Sequence, residues 1–370
     1  LTKRIAELKP MPMFKNERLL NQAIKNYLHS SQSTETSAQE HLFGNGAIAE
    51  LEQKIAAYYG KRHALCVANA TTGLFVLALA MDLKNSEFIT TPYTYGSSLA
   101  SWLMLNNQVS FADIEPFTLT INPEKLRNVI TKKTKAILAV DILGNPSDAR
   151  ALRKLAEEFG IWYIADCAQS FGAKRDGLPA SHSADALVIS FTSGKTLFAG
   201  EGGAVVTDNT KLYERLLFYS QHPFRQKREL GLGIVNEFAF NGRIHPLAAI
   251  WANINFEDSL ARLKKHQSKC LKVINCLNQS GLIETADFRT KEIFPSFFRL
   301  TVELKNNAKS VEVEEYLIKQ GFGAKTASVP ISVIYQNEAF LAQYKNQFLL
   351  PKACLVAERQ AKRRISLAFT

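Results

Sequence analysis

From about residue 63 the sequence alternates short β-rich runs with helix-sized segments, and this alternation constrains the fold more than any other feature. The spacing predicts strands over 63–67, 87–90, 108–113, 136–141, 162–166, 186–191 and 204–207, several of them rich in Val, Ile and Ala. Between them the pattern predicts helices over 71–81, 97–105 and 148–159. The last ends at Gly160 as a C-cap would, and a further helix opens on Asn122 and Pro123. Apolar strands separated by helices read as a mostly parallel sheet covered on both faces, with ligands beyond the C-terminal ends of its strands.

The pattern changes near residue 245. A long helix is expected over 246–266, an alternating strand over 296–304, and a helix over 311–320 stopped by Gly321. The fold class expected is therefore α/β: a large domain over residues 1–250 with a seven-stranded sheet between helices, and a smaller α+β domain over 251–370. Ahead of the sheet, 16–28 reads as helix and 30–39 as a polar loop. No internal repeat is seen.

Composition narrows the class. Hydrophobic residues make up 46% and charged residues 21%, which excludes a disordered chain. No apolar run reaches the roughly 18 residues that would suggest a membrane helix. Lys and Arg total 45 against 34 Asp and Glu, a net charge of +11. The excess is diffuse apart from Arg225, Lys227, Arg228 and the run Arg359, Lys362, Arg363, Arg364, and no nucleic-acid signature accompanies it. We read it as a basic surface or a preference for small anions, with nucleic-acid and membrane partners not expected. The five cysteines lack C-x-x-C spacing, which points to reduced thiols, a cytoplasmic location and no metal site. The sequence opens on Leu1 rather than Met and ends soon after Ser366-Leu367, so further segments at either end are left open.

Four features carry chemistry. Asp166 ends an apolar strand, where a carboxylate requires a partner; a helix cap or a structural ion pair would serve equally. Lys195 follows a strand in Ser190-Phe191-Thr192-Ser193-Gly194-Lys195, ahead of the Gly200–Gly203 run; it is either a solvated loop lysine or an amine able to form a Schiff base with an aldehyde. Asn69-Ala70-Thr71-Thr72-Gly73 opens a helix after the first strand, which is plain capping or a phosphate seat. Tyr95 follows the next strand and either packs in the core or stacks on a flat ring. Each alone is weak. Together, in chain order in one α/β domain, they are what pyridoxal 5′-phosphate (PLP) requires: a lysine for the aldehyde, a carboxylate for the pyridine nitrogen, donors for the phosphate and packing for the ring.

With Ala165-Asp166-Cys167-Ala168-Gln169-Ser170-Phe171-Gly172-Ala173, Ser190 through Lys195, Gly200–Gly203 with Ala204-Val205-Val206-Thr207, and Phe240-Asn241-Gly242-Arg243, the chain resembles the DegT/StrS-type aminotransferases of PLP fold type I from roughly Gly44 to Leu367. The resemblance implies a PLP-dependent aminotransferase working as a homodimer with shared active sites. It implies that Lys195 holds the cofactor and Asp166 pairs with the ring nitrogen. Gln169 would contact the ring hydroxyl side and Tyr95 would stack on the ring. Ala70, Thr71 and Ser190 would hold the phosphate, and Asn241 would reach the phosphate of the neighbouring subunit. The amino donor implied is glutamate or glutamine, and the acceptor a keto-sugar, cyclitol or other carbonyl compound. Substrate-side positions depart from the pattern: Asp141 stands where members commonly have His, and Val329 and Ile334 stand where Tyr and His are frequent. Elimination, replacement or cyclisation chemistry, or a PLP-binding regulator without turnover, are the alternatives. Arg225, Lys227, Arg228 and Arg243 are candidates for binding a carboxylate or phosphate, against the alternative of solvated loops; His222 and His245 read as structural.

Overall fold

The computed structural model describes residues 17–33, 40–231, 233–288, 292–349 and 353–369. The polar run expected to be loop ends helix α1 (Glu17–Ser33) at its start, and its remainder, 34–39, lies outside the described residues.

Seven strands form the central sheet: β1 (His63–Val67), β2 (Glu87–Thr90), β3 (Gln108–Phe111), β4 (Thr134–Val140), β5 (Trp162–Asp166), β6 (Ala186–Ser190) and β7 (Gly203–Thr207). Their order is β1-β7-β6-β5-β4-β2-β3. Only β7 runs antiparallel to its neighbours, so the other six share one direction. The inner strands are apolar at successive positions because the pleat feeds two cores. In β1, Leu65 and Val67 enter one core while Ala64 and Cys66 enter the other.

The first core is closed by α3 (Ala70–Ala80), α4 (Ser97–Met104) and α7 (Thr210–Ser220), through Leu74, Leu77, Trp102 and Leu216. The second is closed by α2 (Ala47–Tyr59), α6 (Ala149–Phe159) and the first half of a long helix, α9 (Pro246–Asn278). Two short helices, α5 (Pro123–Arg127) and α8 (Pro223–Leu230), complete this part. The cap reading at α5 is seen directly: the Asn122 side chain accepts from the amides of Glu124 and Lys125. Gly160 ends α6 in the left-handed region.

The second half of α9 belongs to a third core. Cys270, Val273, Ile274 and Leu277 pack with α10 (Ser310–Lys319) on a three-stranded antiparallel sheet of β8 (Leu300–Glu303), β10 (Arg364–Phe369) and β9 (Ala324–Ser328), in that order. The helix therefore runs beyond the expected end at 266, because its C-terminal turns have a core of their own to fill. The boundary expected at 250/251 falls inside it. Residues 329–349 and 353–357, with α11 (Glu338–Tyr344) and the start of α12 (Leu355–Arg363), return to the first core through Val329, Ile334, Phe340 and Ala357. The strand expected over 296–304 is shorter because Ser296 is drawn away, its amide donating to the Gly144 carbonyl at 2.9 Å.

Arg225, read from sequence as a candidate anion binder, is structural. It is 2% exposed on α8 and reaches Glu52 on α2, with Nη2 to Oε2 at 2.7 Å and Nη1 to Oε1 at 3.1 Å, while its Nε meets Glu229 at 2.8 Å. No further anion can reach it without displacing these carboxylates. Removing one partner of a buried pair strands the other's charge at a cost of about 3–5 kcal/mol, whereas removing both costs less. Arg225→Met is expected to lower stability by about that amount in urea unfolding, and Glu52→Leu in the same chain to recover part of it. A single variant that unfolds like wild type would show the pair to be dispensable.

Candidate active site

Because six strands run the same way, their C-terminal ends line one edge of the sheet. Asp166 ends β5, Ser190 ends β6, and α3 and α4 begin just after β1 and β2. Sequence-distant candidates meet there.

At the start of α3, the Asn69 side chain accepts from the Thr72 amide at 2.8 Å. The amides of Ala70 and Thr71 meet no acceptor among the described residues, as expected of a first helical turn. Gly203, paired with Ser190 across β6 and β7, lies so close that a Cβ on it would sit 2.8 Å from the Ala70 nitrogen and 2.7 Å from the Ile189 carbonyl oxygen. Glycine at 203 thus lets the ends of β6 and β7 abut the helix terminus. Free N–H groups, the Thr71 hydroxyl and the favourable helix dipole form a seat of phosphate character.

Asp166 is 6% exposed. Its Oδ2 accepts from Ser98 Oγ on α4 at 2.6 Å and its Oδ1 from the Ala168 amide at 3.0 Å. It forms no ion pair among the described residues, so the carboxylate is held by neutral donors and free to meet a cationic group.

Lys195 follows Gly194, which takes φ +85° in the turn. Its Nζ lies 4.4 Å from the centroid of the Phe298 ring and makes no hydrogen bond or ion pair among the described residues. Burial lowers the pKa of this amine; attraction to Asp166 opposes the shift and repulsion from Arg299 adds to it.

Phe298 arrives from the far side of the chain. The Leu143 carbonyl accepts from the Arg299 amide at 3.4 Å, and the Ser296 hydroxyl donates to the Gln169 carbonyl at 2.7 Å. Gly144, at φ +89°, makes this approach possible, since a Cβ would fall 2.8 Å from the Phe298 nitrogen. Gln169 itself accepts from the Leu143 amide through Oε1 at 2.7 Å.

Two predicted residues stand apart. Tyr95, before α4, is 61% exposed and borders a groove. Asn241 is exposed with φ +55°, its Oδ1 accepting from Arg243 at 2.6 Å, although the adjacent Gly242 packs on Thr72. Asp141 is not on the substrate side: it is fully buried, accepting from the amide and hydroxyl of Ser147, from the Ser170 and Ser181 hydroxyls, and from the Cys167 thiol. Its amide also donates to the Asp166 carbonyl at 3.0 Å, so this cluster braces the loop carrying Asp166 and Gln169. His222 and His245 cap helices through Nδ1.

Sequence reasoning missed Ser98, Phe298 and Arg299. Ser98 lies one turn beyond Tyr95 in a segment read only as helix, and nothing local marks its target. Among the described residues no group of three or more His, Cys, Asp or Glu side chains is placed to hold a metal, and no helix is long and apolar enough to cross a membrane.

A family model described as the DegT/DnrJ/EryC1/StrS aminotransferase family matches residues 27–370. GDP-perosamine synthase of Vibrio cholerae is 32% identical over 171 residues, 46% of this chain and 47% of that protein. The chain spans about half the length of the curated relatives it matches. An aminotransferase from Psychrobacter cryohalolentis superposes with a TM-score of 0.81 at 22% identity, covering 97% of this chain and 93% of that one. The Escherichia coli GDP-4-keto-6-deoxy-D-mannose-3-dehydratase, solved with bound hydrated PLP, gives 0.78 at 19% identity with the same coverage. These likenesses establish PLP fold type I.

The electrostatics of Lys195 can be read in the cofactor-free protein. A depressed pKa means that the unfolded chain binds more protons, so this group makes stability rise with pH between its folded and unfolded values. Mass-spectrometric labelling of Lys195 across pH should show titration below free lysine. Asp166→Asn should shift the midpoint further down and Arg299→Gln should shift it up. A midpoint at the ordinary lysine value, insensitive to both changes, would contradict this account.

Proposed function

The chain belongs to the DegT/DnrJ/EryC1/StrS aminotransferase family, and on that premise we propose that it transfers an amino group from an amino acid donor, glutamate or glutamine, to a carbonyl acceptor. PLP is the family's cofactor; when bound it supplies an electron sink for negative charge developing at the substrate carbon.

The residues fit the group. In this reading the open amides of Ala70 and Thr71, with the Ser190 hydroxyl, bind the phosphate. Asp166, steadied by Ser98 and Ala168, keeps the ring nitrogen protonated. Tyr95 covers a ring face and Gln169 lies on the ring hydroxyl side. Lys195 Nζ anchors the cofactor's aldehyde and then carries a proton to and from the substrate carbon. A lowered pKa suits that task, because an amine that is largely neutral near working pH can accept the proton. The unit built on the second half of α9 acts as a second domain that brings Phe298 to Lys195, leaving the two cores of the seven-stranded sheet to hold the cofactor. Asn241 serves the neighbouring subunit of a homodimer; the exposed side chains of Ile234, Phe238 and Phe240 beside it offer apolar surface for such a contact.

The observation that carries the reading is the desolvated Lys195 amine, unpaired among the described residues, near a carboxylate held by neutral donors at the strand ends of this fold. The test is the visible absorbance of the PLP-loaded protein before and after L-glutamate, then L-glutamine. Wild type should lose its visible band with one of them; Lys195→Ala should show no such change although equilibrium dialysis still finds PLP bound. A wild-type band that neither donor alters would favour other PLP chemistry or a regulator without turnover.

A further inference from the structure

Resting on the aminotransferase reading, we propose that the carbonyl acceptor has an uncharged, apolar body rather than a nucleotide diphosphate, and that it lies in the groove between α4 and α11. The groove has a volume of about 470 Å³, in the range of small-molecule sites. Its walls are Leu99, Leu103 and Met104 on one side and Ile331, Ile334 and Phe340 on the other.

Three observations support this occupant. The groove opens at Thr94 and Tyr95, and Thr94 Oγ1 donates to Ser98 Oγ at 3.3 Å, the same hydroxyl that holds Asp166. One end of the groove is therefore joined to the carboxylate of the site by two hydrogen bonds. No lining residue carries a charge: the polar side chains are the neutral Thr94, Tyr95, Ser332, Asn337, Gln343 and Tyr344, and Asn337 spends its Oδ1 on the Phe340 amide. A diphosphate seated there would give up part of its hydration with no cation in the lining to compensate, which is costly for a doubly charged group. Finally, Ile334, which replaces the His suggested by the resemblance, lies in the groove wall, and Val329, which replaces the Tyr, is buried in the same apolar core, so branched hydrocarbon stands where hydrogen-bonding side chains were expected. Met104, 72% exposed, is a pliant thioether suited to closing over such a body.

The test uses the full-length PLP-loaded protein and two probes, 4-phenylbutan-2-one and GDP, each titrated by calorimetry without an amino donor. The ketone should bind and GDP should neither bind nor displace it. Met104→Glu, which adds a charge to the rim, and Ala100→Leu, which narrows the groove with hydrocarbon, should each weaken the ketone at least tenfold; melting temperatures check that both variants are folded. Failure of the ketone to bind, displacement of it by GDP, or folded variants with unaltered affinity would overturn the proposal. So would a shift from dimer to monomer on Met104→Glu in sedimentation, which would put a second copy of the chain in the groove. Because binding is read without a donor, a wild-type protein that binds the ketone yet ignores glutamate and glutamine would refute transamination and leave the groove's chemistry standing.

Discussion

A sheet covered on both faces has almost no place for a charged side chain except where its strands stop. Every strand from β4 to β7 spends both of its faces on hydrocarbon, and the desolvation cost of a carboxylate or amine within those layers would be several kcal/mol. Asp166 sits at the last position of β5 and Lys195 in the turn beyond β6, where backbone amides, hydroxyls and an aromatic ring can surround them. The location of the site follows from this exclusion as much as from any attraction among its members.

Close backbone approach does the rest. Gly203 brings the ends of β6 and β7 against the first turn of α3, and Gly144 admits residues 296–298 to the turn that follows β4. In both places a methyl group would collide with main-chain atoms, which cannot swing aside as a side chain can. The first contact shapes the phosphate-like seat, and the second carries Phe298 to Lys195. Asp141 belongs to the same economy. Buried without a cation, it is tolerable only because three serines, a thiol and an amide converge on it, and by converging they tie the loop of Asp166 to two other segments.

Much of this was legible beforehand because it is local. The strands at 63–67, 87–90 and 162–166 are bounded where their apolar runs are bounded, and Asn122 and Gly160 act through neighbours a few residues away. Asp166 and Ser190 end strands and Ala70, Thr71 and Lys195 follow them, so their gathering at one edge was expected from parallel strands that end together. What escaped depends on contacts between distant segments. Nothing near Phe298 marks it as a platform for a lysine, and nothing near Ser98 points to a carboxylate on another strand. Arg225 and Asp141 were misread for the same reason: a charged residue announces its charge but not whether a partner lies across the fold.

The continuity of α9 constrains how the molecule can move. A single helix is a stiff rod, and this one is cemented at its first turns into one core and at its last into another. A linker of glycine and serine would let the smaller unit swing like a door; this rod holds it as a bracket holds a shelf. Residues 329–349, folded back onto the larger core, act as a second strut. With two struts in place, movement around the lysine falls to loops and rotating side chains rather than to the swing of a whole unit.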